Sequence, residues 1–366
     1  MFKAYSESIL KHINYDIDSG EDSRRTQAPL VMRFGAMGDM ILTTPLLRAL
    51  AERHGQPCEV VGRGEIVGEI FANLPFVWSI RSIESNKTPY LFNHPKKMLV
   101  KWLQQRTQSP VYLVQSDLLS HMTLKRAGIT AEASDLTIER RINEHVVDHM
   151  ARLGGFVDAN GDVDPAYNRG TELRVSNEEK DHLLRWMDRL RFGGRDIIVI
   201  QPGFRKCMRK RRRISKGKFW PEIRWIRLIR EILNIAYDKR VIIIGSMAEK
   251  PLTNYIADQV NDHRVTDIAG QNLRPILALL DHAHSLISLD TGPAHAAAAL
   301  NCPLVVLFGK TDPRVNCPIS RDSPVIVLTG PPDAVIEDEE PGWARHHDIE
   351  TISVDDVLKA WAENLL

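Results

Sequence analysis

Short apolar runs recur along the chain, each closing on glycine or small polar residues before a stretch with apolar positions at helical spacing. In the first half they fall at 30–32, 58–62, 78–80 and 111–114; in the second at 196–200, 240–244, 285–289 and 304–308. Runs of this length without alternation fit strands buried on both faces, as in a parallel sheet covered by helices. Between them, the spacing predicts a helix carrying Ile41, Leu42, Leu46, Leu47 and Leu50, and further helices over 65–72, 94–105, 144–153 and 273–282. Strand and helix alternating twice over predict an α/β protein of two doubly wound parallel-sheet domains. A polar stretch from Asp158 to Gly170, rich in Gly, Asp and Asn, separates them. The first domain then spans 29–165 and the second 171–345, preceded by a polar leader over 1–28. A C-terminal helix from Val354 closes the chain within 346–366.

Composition narrows the class. The 366 residues leave room for two cores; 43% are hydrophobic, 26% are charged, and the formal net charge is +1. No global field calls for an acidic partner. No apolar run approaches the length of a membrane span, and the amino terminus lacks a signal-peptide core. Four cysteines without C-x-x-C or zinc spacing lead us to expect reduced thiols and a cytoplasmic setting.

Candidate chemistry sits at strand ends. Gly35 and Gly38 allow a sharp turn after residues 30–32, and Asp39 lies where that turn becomes a helix. An acid there serves either as a first-turn helix acid or as a carboxylate presented at the carboxyl end of a strand, where ligands of open α/β sheets collect. In the second half, Asp290-Thr291-Gly292-Pro293-Ala294-His295 follows a strand. Gly292 permits the turn and Pro293 suits the first helical position, so free N–H groups and a helix dipole form an anion site. Asp290 is read as bracing this turn; His295 either touches the same anion or packs. Residues 205–218 carry nine basic residues in fourteen positions. A solvated loop, nucleic-acid binding, and a cleft-mouth loop facing anionic lipid or phosphorylated sugar are the readings open to it, the last fitting best. Within it, Lys218 stands just before a helix that Pro221 begins. A cation there is tolerable if an anion lies between it and the helix N-terminus, which singles Lys218 out as a phosphate ligand. The helix over 94–105 is read as an amphipathic surface helix, with anionic lipid or sugar phosphate as the functional alternative. Asp16-Ile17-Asp18 and Asp162-Val163-Asp164 spell D-x-D but lie in polar segments and are read as loops.

These pieces together resemble the ADP-heptose:lipopolysaccharide heptosyltransferase family of glycosyltransferases. The resemblance rests on Arg33 to Pro45, Gln201-Pro202-Gly203, Lys218-x-Trp220-Pro221, Ile244-Gly245-Ser246, Ile268-Ala269-Gly270, and Asp290-Thr291-Gly292-x-x-His295 through Pro303 and Phe308-Gly309. It implies a GT-B architecture, two Rossmann-like domains facing a cleft, with the nucleotide-sugar held mainly by the second. It implies an inverting, metal-independent transfer without cofactor, in which Asp39 is the base and Lys218 the diphosphate cation. Gly38, Thr43, Gly203, Lys218, Glu249, Asp290, Thr291, Gly292 and His295 are the implied donor contacts. Gln115 and Ser116 are the expected acceptor contacts, although the match is rough between Ser85 and Ile142. The expected partners are a nucleotide-sugar, ADP-heptose first, and an anionic glycan or glycolipid acceptor; nucleic acid is not expected. Peripheral contact with the cytoplasmic face of the inner membrane is a further expectation. In GT-B proteins the terminal helix often crosses back to the first domain, and the same is expected here. Another nucleotide-sugar, a protein or capsule acceptor, or a non-catalytic paralogue are the competing readings.

Overall fold

The computed structural model describes residues 28–83, 90–106, 109–114, 118–135, 137–190, 192, 196–204, 217–330 and 348–366. They form two compact units that divide between Arg174 and Val175.

The first unit is built on a parallel sheet of five strands in the order β3-β2-β1-β4-β5. They are β1 (Leu30–Met32), β2 (Cys58–Arg63), β3 (Val77–Ile83), β4 (Val111–Leu113) and β5 (Ala133–Ser134). All three residues of β1 are fully buried, as a central strand covered on both faces must be. β1 pairs with β2 through Val31↔Val60 and with β4 through Val31↔Tyr112. Parallel neighbours need crossovers, and helices supply them, among them His94–Gln104 and Leu118–Ala127.

The second unit repeats this plan with six parallel strands in the order β11-β10-β9-β6-β7-β8. They are β6 (Ile197–Gln201), β7 (Arg240–Ile243), β8 (Val265–Asp267), β9 (Ser285–Leu289), β10 (Leu304–Phe308) and β11 (Val325–Thr329). Counted from the first strand of each unit, both sheets follow the 3-2-1-4-5 order of the Rossmann fold. Strand order therefore reverses beside β1, between β2 and β4, and beside β6, between β7 and β9. At such switch points the loops leaving the strands diverge and open a crevice.

Several expectations are revised. The single helix anticipated after the glycine turn is two, Met37–Ile41 and Thr44–His54, because Pro45 in the first turn of the second has no N–H to continue the first. Asn177–Arg189 and Lys250–Val260 are helices that the apolar pattern did not reveal. The former opens on a Ser176/Glu179 capping box, and buried Glu179 also pairs with buried Arg274 at 2.5 Å. The anticipated linker is held within the first unit. Val157 bridges Val163, Arg48 Nη2 donates to the carbonyls of Asn168 and Gly170, and the Glu172 N–H donates to Thr44 Oγ1 at 3.0 Å. The division thus falls after Arg174, not between 165 and 171. The C-terminal helix, Val354–Leu365, was expected to cross back. Its Val357 and Trp361 instead join the core of the second unit beside Trp225 and Ile229 of the helix Glu222–Ile235, and Trp361 Nε1 donates to Ser285 Oγ at 3.0 Å. The leader, the basic run over 205–216 and the first D-x-D lie outside the described residues.

Candidate functional site

The first switch point presents Asp39. Its helix, Met37–Ile41, has only five residues, and Asp39 occupies the first turn. One carboxylate oxygen accepts from the Ala36 N–H at 2.8 Å; the other lies 3.4 Å from Arg33 Nη2. The Asp39 side chain is 38% exposed, whereas that of Arg33 is 6% exposed. Burial holds the Arg33 guanidinium below its ordinary pKa, a lowering that the Asp39 and Asp135 carboxylates offset only in part. Gly35 is required here because a Cβ would collide with the Asp39 side chain. Both readings of Asp39 are therefore met at once: it is a first-turn acid, and it still offers a reachable carboxylate at a strand end.

The second switch point forms a pocket lined by Lys218, Asp290, Thr291, Gly309, Thr311 and apolar neighbours including Phe204 and Ile349. Thr291 is the N-cap of the helix Gly292–Ala299, with Pro293 in the first turn. The Ala294 N–H returns to the Thr291 carbonyl at 3.1 Å, and Pro293 has none to offer. The N–H of Gly292 is thus left at the mouth of the helix. Asp290 accepts from Thr311 Oγ1 at 2.5 Å and lies 3.8 Å from His295 Nε2. His295 is buried. The Asp290 carboxylate thus ties this turn to the loop after β10, and His295 packs behind it.

Lys218 is held from its carboxyl side. Trp220, two residues on, is fully buried, stacks edge-on against Trp225 at 4.8 Å, and donates from Nε1 to the Ile352 carbonyl at 2.9 Å. Pro221 then caps the helix Glu222–Ile235. On the other side, Gly217 has φ +89° and its carbonyl accepts from the Lys310 N–H at 2.8 Å. The Lys-x-Trp-Pro spacing thereby sets the lysine between two anchors.

Behind the pocket lies a buried polar hub whose centre, Gln201, the sequence reading did not nominate as a site residue. Gln201, at the end of β6, is 2% exposed. Its Oε1 accepts from Ser288 Oγ and Thr291 Oγ1, both at 2.9 Å. Its Nε2 donates to the Gly203 carbonyl and, at 3.3 Å, to Glu249 Oε1. Glu249 is itself buried and also accepts from the Ser246 N–H at 2.8 Å. Gly203 packs so closely that a Cβ would sit 2.6 Å from Glu249 Oε1. One glutamine, using acceptor and donor ends together, ties three strand ends into a single wall. The signal for it was available: Gln is rare at the end of a fully buried apolar strand, and such a group must be hydrogen-bonded.

Of the expected site residues, Lys218, Asp290 and Thr291 line one pocket, Gly292 adjoins it, and Gly203, Glu249 and His295 stand behind that wall. Gly38 lies in the same short helix as Asp39. Thr43 is a correction: it is fully buried, and its hydroxyl donates to the Asp39 carbonyl at 2.9 Å, so it stabilises the break between the two helices and has no surface for a ligand. Gln115 and Ser116 fall outside the described residues. The second D-x-D is a loop, with Asp162 paired to Arg141 at 2.5 Å. Among the described residues, no group of three or more His, Cys, Asp or Glu side chains is placed to hold a metal ion. Cys58, Cys302 and Cys317 are free thiols, and burial pushes Cys302 up to about 12.

Two Rossmann-like units, each built on an all-parallel sheet, have the fold of a GT-B glycosyltransferase. Residues 126–343 match the model of glycosyltransferase family 9 (heptosyltransferase), more than half of the chain. The chain belongs to that family. A lipopolysaccharide heptosyltransferase 3 of Escherichia coli is 34% identical over 123 residues. That stretch is 32% of this chain and 33% of the relative, so the match spans about a third of the curated protein's length. Among solved structures, a glycosyl transferase family 9 protein from Veillonella parvula DSM 2008 superposes with a TM-score of 0.75 at 16% identity, covering 95% of this chain and 98% of that one. The E. coli ADP-heptose lps heptosyltransferase II superposes with a TM-score of 0.70 at 19% identity, covering 93% and 98%. At these identities the likeness to solved structures is one of fold.

Proposed function

We propose that this protein transfers a heptose from ADP-heptose to a hydroxyl of a lipopolysaccharide-core acceptor, by a single inverting displacement with Asp39 as general base. The observation that carries the donor half is the convergence of Lys218 and Thr291 on one pocket, with Gly292 adjoining it, in a chain of the heptosyltransferase family. The named neighbour that uses an ADP-heptose donor supports the choice of sugar nucleotide.

The residue types suit the reaction. A sugar hydroxyl is a poor nucleophile at neutral pH, and a carboxylate within hydrogen-bond reach takes its proton as the new glycosidic bond forms. Asp39 is held for this by the Ala36 N–H and Arg33, while its exposed edge remains open to an acceptor. As the C–O bond to the diphosphate breaks, negative charge builds on the leaving oxygen. The Lys218 ammonium and the N–H at the helix mouth meet that charge already oriented, which lowers the barrier without reorganisation. These groups let the transfer proceed without a divalent cation, so activity is expected to survive chelation by EDTA. The reading requires Asp39 and the Lys218 pocket to act on one bound sugar.

The experiment is release of ADP, followed with ADP-heptose and a deacylated core acceptor, against a panel of other ADP- and UDP-sugars. Turnover with ADP-heptose and an inverted anomeric product is the expected result. Turnover only with another sugar nucleotide would replace the donor assignment. Binding of ADP without turnover on any acceptor would leave a nucleotide-sugar-binding paralogue in its place.

A further inference from the structure

We propose that Lys310 is a second cation of the pocket in the second unit, and that it and Lys218 together grip the two phosphates of a nucleoside diphosphate. The inference deepens the proposed function and rests on it for the identity of the ligand.

Lys310 comes two residues after Phe308, the last residue of β10. The residues on either side of it, Gly309 and Thr311, line the pocket together with Lys218. Its backbone N–H donates to the Gly217 carbonyl at 2.8 Å. Its side chain then runs along Gly217: a Cβ built there would lie 2.7 Å from Lys310 Cγ, 3.4 Å from Cδ and 3.0 Å from Cε. Gly217 serves twice, since its φ of +89° suits glycine and its bare Cα admits the lysine tail. A tail laid against one glycine over three carbons has a set direction, with its polar head kept in solvent. The ammonium is one bond beyond Cε and therefore lies beside residue 217, next door to Lys218. The two lysines are 92 positions apart in the chain (310 − 218), and the loop after β10 makes them neighbours.

Charge gives the pairing its meaning. The acid of this pocket, Asp290, is engaged by Thr311 Oγ1 and lies 3.8 Å from His295 Nε2; it forms no ion pair with either lysine. Among the described residues, no carboxylate pairs with Lys218 or Lys310. The same loop does neutralise its next cation, Arg314, which meets Asp312 at 2.6 Å. Two ammonium groups set side by side repel, and the arrangement becomes favourable when an anion bridges them. One ammonium and the N–H at the mouth of the helix Gly292–Ala299 suffice for one phosphate. A diphosphate presents a second set of charged oxygens one P–O–P link away, and a second cation fixed beside the first is what matches it.

The test is calorimetric titration of the full chain with ADP and with AMP, in the absence of acceptor. Wild type should prefer ADP. Lys310→Met keeps the tail over Gly217 and removes the charge; it should weaken ADP binding about fivefold and AMP binding less, so that the preference narrows. Lys310→Arg should bring ADP affinity back to within about twofold of wild type. Equal losses for ADP and AMP in Lys310→Met, with a lowered melting temperature, would make Lys310 a structural residue and overturn the proposal. Lys218→Met, titrated alongside, keeps the two readings apart. If it loses ADP and Lys310→Met does not, the inference fails and the donor pocket stands; if neither variant loses ADP, both fail.

Discussion

The turn after β1 and the turn after β9 are the same device with opposite charge. Each follows a buried parallel strand beside a switch point, and each opens a helix with glycine nearby. In the first, the acid sits inside the helix, half-exposed, and its partners leave one edge open. In the second, the acid stands before the helix, lines the pocket that the helix mouth adjoins, and is engaged by the Thr311 hydroxyl. The first turn therefore leaves one carboxylate edge exposed, and the second sets a helix N-terminus beside the lysine pocket, which are the two halves of the chemistry proposed above. What decides between them is where a single acid lies relative to the first N–H of the helix, and which side chain satisfies it.

That contrast can be broken at each turn. Asp39→Asn keeps the hydrogen bond to Ala36 in reach but removes the basic group, and is expected to lower turnover by about 10³-fold or more while ADP affinity stays within about twofold. Steady-state ADP release with calorimetric titration separates the two; retained turnover would move the base elsewhere. Lys218→Met removes the cation from the second turn and should cost about 10²-fold in kcat/KM, with the loss shared between donor binding and turnover. An unchanged value would mean that the pocket does not meet the diphosphate.

Gln201→Leu tests the wall behind the cradle. It strips the hydrogen-bond partner from Ser288 and Thr291 and leaves buried Glu249 with one fewer donor, so a destabilisation of about 2–3 kcal/mol is expected by denaturant titration. Ordinary stability in that variant would show that the hub is not what fixes the turn. The smallest change concerns Thr43, whose hydroxyl bonds only to a backbone carbonyl. Thr43→Val should lose about 1 kcal/mol of stability and leave the KM for the sugar nucleotide unchanged. A large rise in KM would return Thr43 to the donor site.

The strands were legible because buried parallel strands are continuous apolar runs, and β9, β10 and the helix Leu273–His282 fall where the pattern puts them. The helix Asn177–Arg189 was not, because most of its surface is polar and its hold on the second unit includes an ion pair between Glu179 and Arg274, which periodicity cannot reveal. The break at Leu42–Thr43 was overlooked although Pro45 announced it. Lys218 and Thr291 could be paired only through family resemblance, since 73 positions separate them and no local pattern links the two loops (291 − 218). Apart from the local bond to Gly203, the Gln201 hub is tertiary: its other partners lie 48, 87 and 90 positions away, and only the fold brings them together.

The join at Gly217 carries a consequence for how this family member can vary. Its left-handed backbone and the close approach of Gly309, where any side chain would overlap the Gly217 carbonyl, fasten the chain immediately ahead of Lys218. With Trp220 fastening it behind, the lysine keeps its place whatever precedes residue 217. Changes in length or sequence ahead of residue 217 are therefore expected to leave the position of the Lys218 backbone unchanged.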